Sequence, residues 1–358
     1  MKSTKLERLT QKLQLATGMP WAQALKHVAA LAPSAVLIPE AHPSQAVLES
    51  TFLKSFAWPQ TDHHHPWGIR CVEPSRNHLV LIFEDQQLRA DDDESLTRDL
   101  VRAVVPHVDE WGKVRGIPGA RFTVARRGIL IRRLNMPGSI TIVGIPAEDW
   151  GTAMDLQRQE TEAAGMRYCH DSSPDQWHAD ELPYLEPSAD PLPGQHPRRT
   201  SDAWLGSGLL RRAPLLRTIG VPLSTTAWTN PSLDKGQTWI IDYIHEPRVP
   251  APLPHQGYIE LLTDPECGLA ITGTSLHCSC ARFPEYSTEC RFNARSSTGQ
   301  LGALQVRFSR RTGENLELYQ EGPDDYKARH KLYRPIPAHL VRGSAETIHA
   351  QELPTPIR

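Results

Sequence analysis

The sequence is marked first by what it lacks. No run approaches about eighteen consecutive apolar residues, so no membrane-spanning helix is expected. There is no phosphate-binding loop, no dinucleotide fingerprint and no nucleophile elbow, which removes the usual sequence grounds for nucleotide chemistry or serine hydrolysis. An excess of either charge is missing. The 39 basic and 41 acidic side chains leave a formal charge of -2, which argues against whole-protein attraction to nucleic acid and leaves room for a local patch. Lysine is scarce in the middle of the chain, where Lys235 stands alone between Lys113 and Lys327. Arginine therefore carries the positive charge there, and its planar fork suits phosphate better than an ammonium does. The N-terminal stretch "MKSTKLERLTQKLQLATG" has no apolar signal core, so the expectation is a cytoplasmic protein.

What is present describes a globular chain. At 358 residues it is long for one ordinary domain, and its 39% hydrophobic content supports a sizeable core. The pattern predicts an α+β fold with a small helical N-terminal unit, a mixed α/β middle domain and an antiparallel β-rich C-terminal domain. The expected divisions are 1–56 for the helical unit, 57–169 for the mixed domain and 170–200 for a proline-rich, acidic linker loop, followed by 201–335 for the β-rich domain and 336–358 for a polar tail. Leu6, Leu9, Leu13 and Ala16 fall at helical spacing, with Thr4 as N-cap and Gly18 as stop. Pro20 opens a second helix and residues 44–56 form a third. The stretch "ARFTVARRGILIRRL" predicts a hairpin turning at Arg126, Arg127 and Gly128. Beyond the linker, "GYIELL" reads as one of up to seven strands joined mostly by short turns. No repeat of fixed period is visible.

Several clusters carry candidate chemistry. Four of the six cysteines lie in "CGLAITGTSLHCSCARFPEYSTEC": Cys267, Cys278, Cys280 and Cys290. Thiolates suit tetrahedral zinc, the candidate divalent cofactor. The spacing, however, is not that of a zinc knuckle and favours thiols packed beneath a sheet, with less than one zinc per chain. If "LHCSCARF" pairs with "ECRFNAR", Cys290 comes near the face of Cys278. The run "TDHHHPWG" sets Asp62 before His63, His64 and His65, without the alternation that would put two rings on one strand face. "YCHDSSPDQWHADELPY" offers His170, Asp171, Asp175, His178, Asp180 and Glu181, a mixed ligand set for a metal that activates water.

Two stretches resemble known families. "LTQKLQLATGMPWAQALKHV" resembles a helix-turn-helix unit, with Leu13 in the first helix, Gly18 in the turn and "MPWAQALKHV" as recognition helix. "VPLSTTAWTNPSLDKGQTWIIDYI" resembles the Ser-Thr-Ser strand of ADP-ribosyltransferases around Ser224, Thr225 and Thr226. That resemblance implies a nicotinamide pocket with Arg217 as the upstream arginine, but no paired-glutamate motif follows.

The expected function is a non-catalytic component that binds nucleic acid or a protein assembly, with no membrane partner. It would use the helical unit and an arginine-rich surface of Arg121, Arg126, Arg127, Arg132 and Arg133, with Arg211 and Arg212. The alternative is a metal-dependent hydrolase or nuclease using His170, Asp171, His178 and Asp180 in the loop ending at Glu181. An ADP-ribosyltransferase-like enzyme is the third reading.

Overall fold

The computed structural model describes residues 4–32, 35–57, 65–84, 96–171, 175–185, 202–220, 222–232, 236–245, 255–278, 288–310, 334 and 336–340. The chain is mixed α and β, with a helical N-terminal part and a β-rich C-terminal region. Three helices come first: α1 (Lys5–Thr17), α2 (Trp21–Ala30) and α3 (Pro43–Phe56). Thr4 and Glu7 form a reciprocal capping box on α1, and Gly18 closes it at φ 74°. A Cβ at Gly18 would run into the Arg70 carbonyl oxygen, so glycine serves both the turn and the close approach. Leu13 and Ala16 are fully buried, whereas Leu6 and Trp21 stay exposed.

Strands β1 (Ile69–Pro74) and β2 (His78–Phe83) form a hairpin followed by α4 (Leu96–Val104). Two short strands, β3 (His107–Val108) and β4 (Val114–Arg115), come next. A meander of β5 (Ala120–Ala125), β6 (Gly128–Arg133) and β7 (Ser139–Val143) completes the first sheet. Its order is β1-β2-β7-β6-β5, antiparallel except where β2 runs parallel to β7. Helix α5 (Ala147–Ala163), opened by Pro146, packs on α4 and leads to β8 (Arg167–Tyr168), which pairs with β3.

The remainder repeats this plan. Helix α6 (Ala203–Leu210) precedes the hairpin β9 (Pro222–Ser232) and β10 (Gly236–His245), then α7 (His255–Leu262). The meander β11 (Ile271–His277), β12 (Thr288–Ser296) and β13 (Ala303–Arg310) follows. The second sheet has the order β9-β10-β13-β12-β11, and β10 runs parallel to β13. The two sheets share one connectivity, helix–hairpin–helix–meander, with the same strand order and the same single parallel pair.

Two expectations are corrected. The C-terminal sheet is mixed, not purely antiparallel, because the α7 crossover returns the chain in the direction of β10. "GYIELL" is helical: His255, Ile259 and Leu262 share one buried stripe, and Tyr258 with Leu261 extends it. The stretch "LELYQ" (316–320), which by its sequence reads as a further strand, lies outside the described residues. Among those residues no helix is long and apolar enough to cross a membrane.

The two repeats meet at α3 and α6. Gly206 lets the helices approach, since a Cβ there would clash with Ser50 and Trp239. At the contact Glu49 and Arg211 are 0% and 1% exposed and pair at 2.7 Å. Glu49 also accepts from Ser207 Oγ and Gln45 Nε2, and Arg211 donates to the carbonyls of Pro39 and Ser75. Helix α1 straps the repeats a second time, because Lys12 Nζ reaches Asp264 at 2.6 Å and Glu266 at 2.7 Å beyond α7. One continuous apolar cluster runs from Leu13 to Phe308.

Removing one member of a buried pair leaves a charge without compensation, which costs about 3–5 kcal/mol. Arg211→Met is therefore expected to lower unfolding stability by about that amount in a denaturant titration. The double change Glu49→Leu with Arg211→Met should recover a substantial part of it. Equal loss in the single and double variants would show that the pair is not what holds α3 to α6.

Candidate functional site

The expected hairpin forms between β5 and β6; its turn is Arg126 and Arg127 alone, closed by the pair Ala125 and Gly128. Gly128 adopts φ 143°, and a Cβ there would strike the Ile142 carbonyl oxygen of β7. Arg126 and Arg127 sit on the turn, exposed. Arg132 is exposed further along β6, opposite Ser139 of β7. Among the described residues none of the three has a carboxylate partner. The charge of Arg127 also reaches His78 on β2. Burial chiefly holds the His78 imidazole below its ordinary pKa, and this neighbouring charge adds to it.

Of the other four arginines of the expected surface, three are buried and Arg133 is half-buried, and all four are held by groups of the protein itself. Arg121 is 6% exposed and pairs with the fully buried Glu181 at 3.0 Å, while donating to the Ala120 and Gln176 carbonyls. Arg133 donates to the Pro118 and Tyr184 carbonyls and lies over the Trp177 ring at 5.7 Å. Arg211 is the partner of Glu49. Arg212 is buried and satisfied by the carbonyls of Gly208, Cys267 and Gly268, and this burial draws its pKa down to about 10.

Arginines also account for two of the acids in the loop read as a metal site. Glu181 accepts from Arg121 and from the Gly119 amide. Asp180 makes a two-pronged pair with Arg167 at 2.8 and 2.9 Å, which holds its carboxyl below the usual range. His178 caps the turn Ala179–Tyr184, its Nδ1 accepting from the Asp180 amide. His170 lies against Phe122 with ring centres 5.3 Å apart and the rings tilted by 40°. The Asp171 side chain lies outside the described residues. A carboxylate locked on arginine is a poor ligand, since a cation would have to break that pair.

The other candidates are placed as follows. His65 is buried; its amide donates to Glu84 and its Nδ1 meets Arg217 at 3.3 Å. Asp62, His63 and His64 lie outside the described residues. Arg217 thus faces His65 and the Pro214 carbonyl, while Ser224 and Thr225 are buried in β9. On the second sheet a polar row crosses all the strands. Asn293 donates to Ser275, Gln305 to Asn293 and Arg307 to Gln305, and Asp242 takes Arg307 and Trp228 Nε1. This row was not anticipated from the sequence; its signal was the alternation of polar residues along β12 and β13.

The thiols divide into two kinds. Cys71, Cys169 and Cys267 are buried, and burial pushes each up to about 12. Cys267, one of the expected ligands, is held beside Asp264 on the loop after α7, with Sγ 3.6 Å from Oδ1. Cys278 and Cys290 do come together, with Sγ atoms 3.6 Å apart. Cys280 lies outside the described residues. His255, at the start of α7, joins the pair, and the three donor atoms all lie within 4.8 Å of one another. Among the described residues this is the one such group of three. His255 was missed because 22 residues lie between it and Cys278 and 34 between it and Cys290.

Comparison with protein-family models, with curated proteins and with solved structures finds no match to this chain.

The division of the arginines is testable by denaturation. Arg121→Met strands the buried Glu181 and is expected to cost about 3–5 kcal/mol. Arg126→Ala, at an exposed turn, should stay within about 0.5 kcal/mol of the parent. Equal effects would contradict the assignment of one to the interior and the other to the surface.

Proposed function

We propose that this protein is a non-catalytic binding component that grips the phosphate backbone of a nucleic acid with its β5–β6 hairpin. The observation that supports the reading is that Arg126, Arg127 and Arg132 are exposed on one hairpin and lack carboxylate partners among the described residues. Neighbouring guanidinium groups repel, and an anion placed between them relieves that repulsion. A backbone grip of this kind is independent of sequence and sensitive to salt. It also tolerates the formal charge of -2, because attraction acts locally within about a Debye length. The N-terminal helical pair takes a different part: α1 is committed to the fold through Lys12. The hairpin is the part carried forward from the expected binding surface.

The test is fluorescence anisotropy with labelled single- and double-stranded oligonucleotides over a salt series. The triple variant Arg126→Ala, Arg127→Ala, Arg132→Ala should bind more weakly with an unchanged melting temperature. Its log–log salt slope should be shallower by about 0.7 to 0.9 for each phosphate that the variant no longer neutralises. Wild-type protein that binds neither probe at low salt, or a triple variant that binds as the parent does, overturns the proposal. Retention of an acidic protein partner in place of either probe would do the same.

A further inference from the structure

We infer that His255, Cys278 and Cys290 form a zinc site that clamps the start of α7 to the edge of the second sheet. The geometry is the first ground. In a tetrahedral site with Zn–S near 2.3 Å, two thiolate sulfurs stand about 3.8 Å apart. The Cys278 and Cys290 sulfurs are 3.6 Å apart. That is far from the disulfide bond length of about 2.05 Å. A thiolate–imidazole edge of the same tetrahedron is about 3.6 Å. All donor atoms here lie within 4.8 Å, so bringing the ring in requires a movement of roughly an ångström, within reach of a side-chain adjustment.

Charge is the second ground. Two thiolates and a neutral imidazole around a divalent cation sum to zero. Such a group suits the position, where Cys290 and His255 are buried and Cys278 faces solvent. The ring of His255 is set against Phe308 of β13, with centres 5.2 Å apart, which limits its orientation. Soft sulfur with imidazole selects zinc over calcium or magnesium, which take oxygen donors. Three protein donors leave the fourth corner to water or to an incoming donor.

The topology gives the clamp its purpose. Cys278 directly follows β11, an outermost strand of the sheet, and Cys290 lies in β12 beside it. His255 opens the helix that crosses between β10 and β11. Ligation would tie the crossover to the hairpin it leads into, at the end of the sheet where β11 has no outer neighbour among the described strands.

The test uses the full chain as purified, with zinc as the probe. Elemental analysis is expected to find about one zinc per chain. Cys290→Ser and His255→Ala should each lose most of it. Cys278→Ser is the decisive variant because Cys278 is exposed whereas Cys290 and His255 are buried, so the change is the least disruptive of the three. It should remain folded by circular dichroism yet hold little zinc. Cys267→Ser, whose thiol sits elsewhere, should keep the metal. Cobalt substitution of the wild type should give the visible bands of a tetrahedral thiolate complex. Metal-free protein should gain melting temperature on titration with zinc, as binding to the native state alone requires. Wild-type protein that holds no zinc and shows no cobalt spectrum overturns the inference. So does a Cys278→Ser variant with undiminished zinc, or loss of zinc on Cys267→Ser alone.

Discussion

The buried pair of Glu49 and Arg211 is the constraint on which the rest depends. Two repeats of one connectivity each present a helix, and the helices meet face to face. A charge buried where they meet is tolerated only with its opposite beside it and its remaining hydrogen-bonding groups satisfied. Both conditions are met through Ser207, Gln45, Pro39 and Ser75. The requirement reaches outward. Ser75 is in the β1–β2 turn and Pro39 in the approach to α3, so the pair fixes the first hairpin as well as the two helices. Lys12 repeats the logic at the far side, where it ties α1 to the residues after α7.

Much of the fold was legible because local signals were strong. The cap at Thr4, the stop at Gly18, the proline before α5 and the glycine in the β5–β6 turn each impose a backbone geometry that only a few residues can meet. What was not legible depends on distant partners. The parallel pairing of β10 with β13 is set by a crossover whose helix, α7, is short and apolar, and a short apolar run does not separate helix from strand. Strand β9 is rich in serine and threonine, and its pairing with β10 gives it a regularity its sequence only partly announces. The duplicated plan has no sequence period because its connections differ in length; β3 and β4 interrupt only the first repeat among the described residues.

The candidate sites show the same limit more sharply. Read along the chain, arginines on one hairpin suggest a binding surface and acids in a later loop suggest a metal site. In space Arg121 and Glu181 neutralise each other, and so do Arg167 and Asp180. The pair of Arg121 and Glu181 thus takes one residue from each functional reading, and Arg167 takes a second acid from the metal reading. The arginines that remain are Arg126 and Arg127 at the turn, where a sheet cannot cover them, and Arg132, exposed further along β6. The thiols behaved oppositely. Their irregular spacing pointed to packing, yet β11 and β12 bring Cys278 to Cys290, and a helix start supplies the histidine.

The arginines therefore divide into those spent on the fold and those left exposed on the β5–β6 hairpin, where the proposed contact lies. Hydrogen–deuterium exchange on the full chain tests that division directly, with and without a saturating single-stranded oligonucleotide at low salt. Protection is expected to concentrate on the β5–β6 turn around Ala125 to Gly128, while the amides near Arg121, Arg211 and Arg212 exchange as before. An unchanged turn, or protection gathered elsewhere on the molecule, would contradict it.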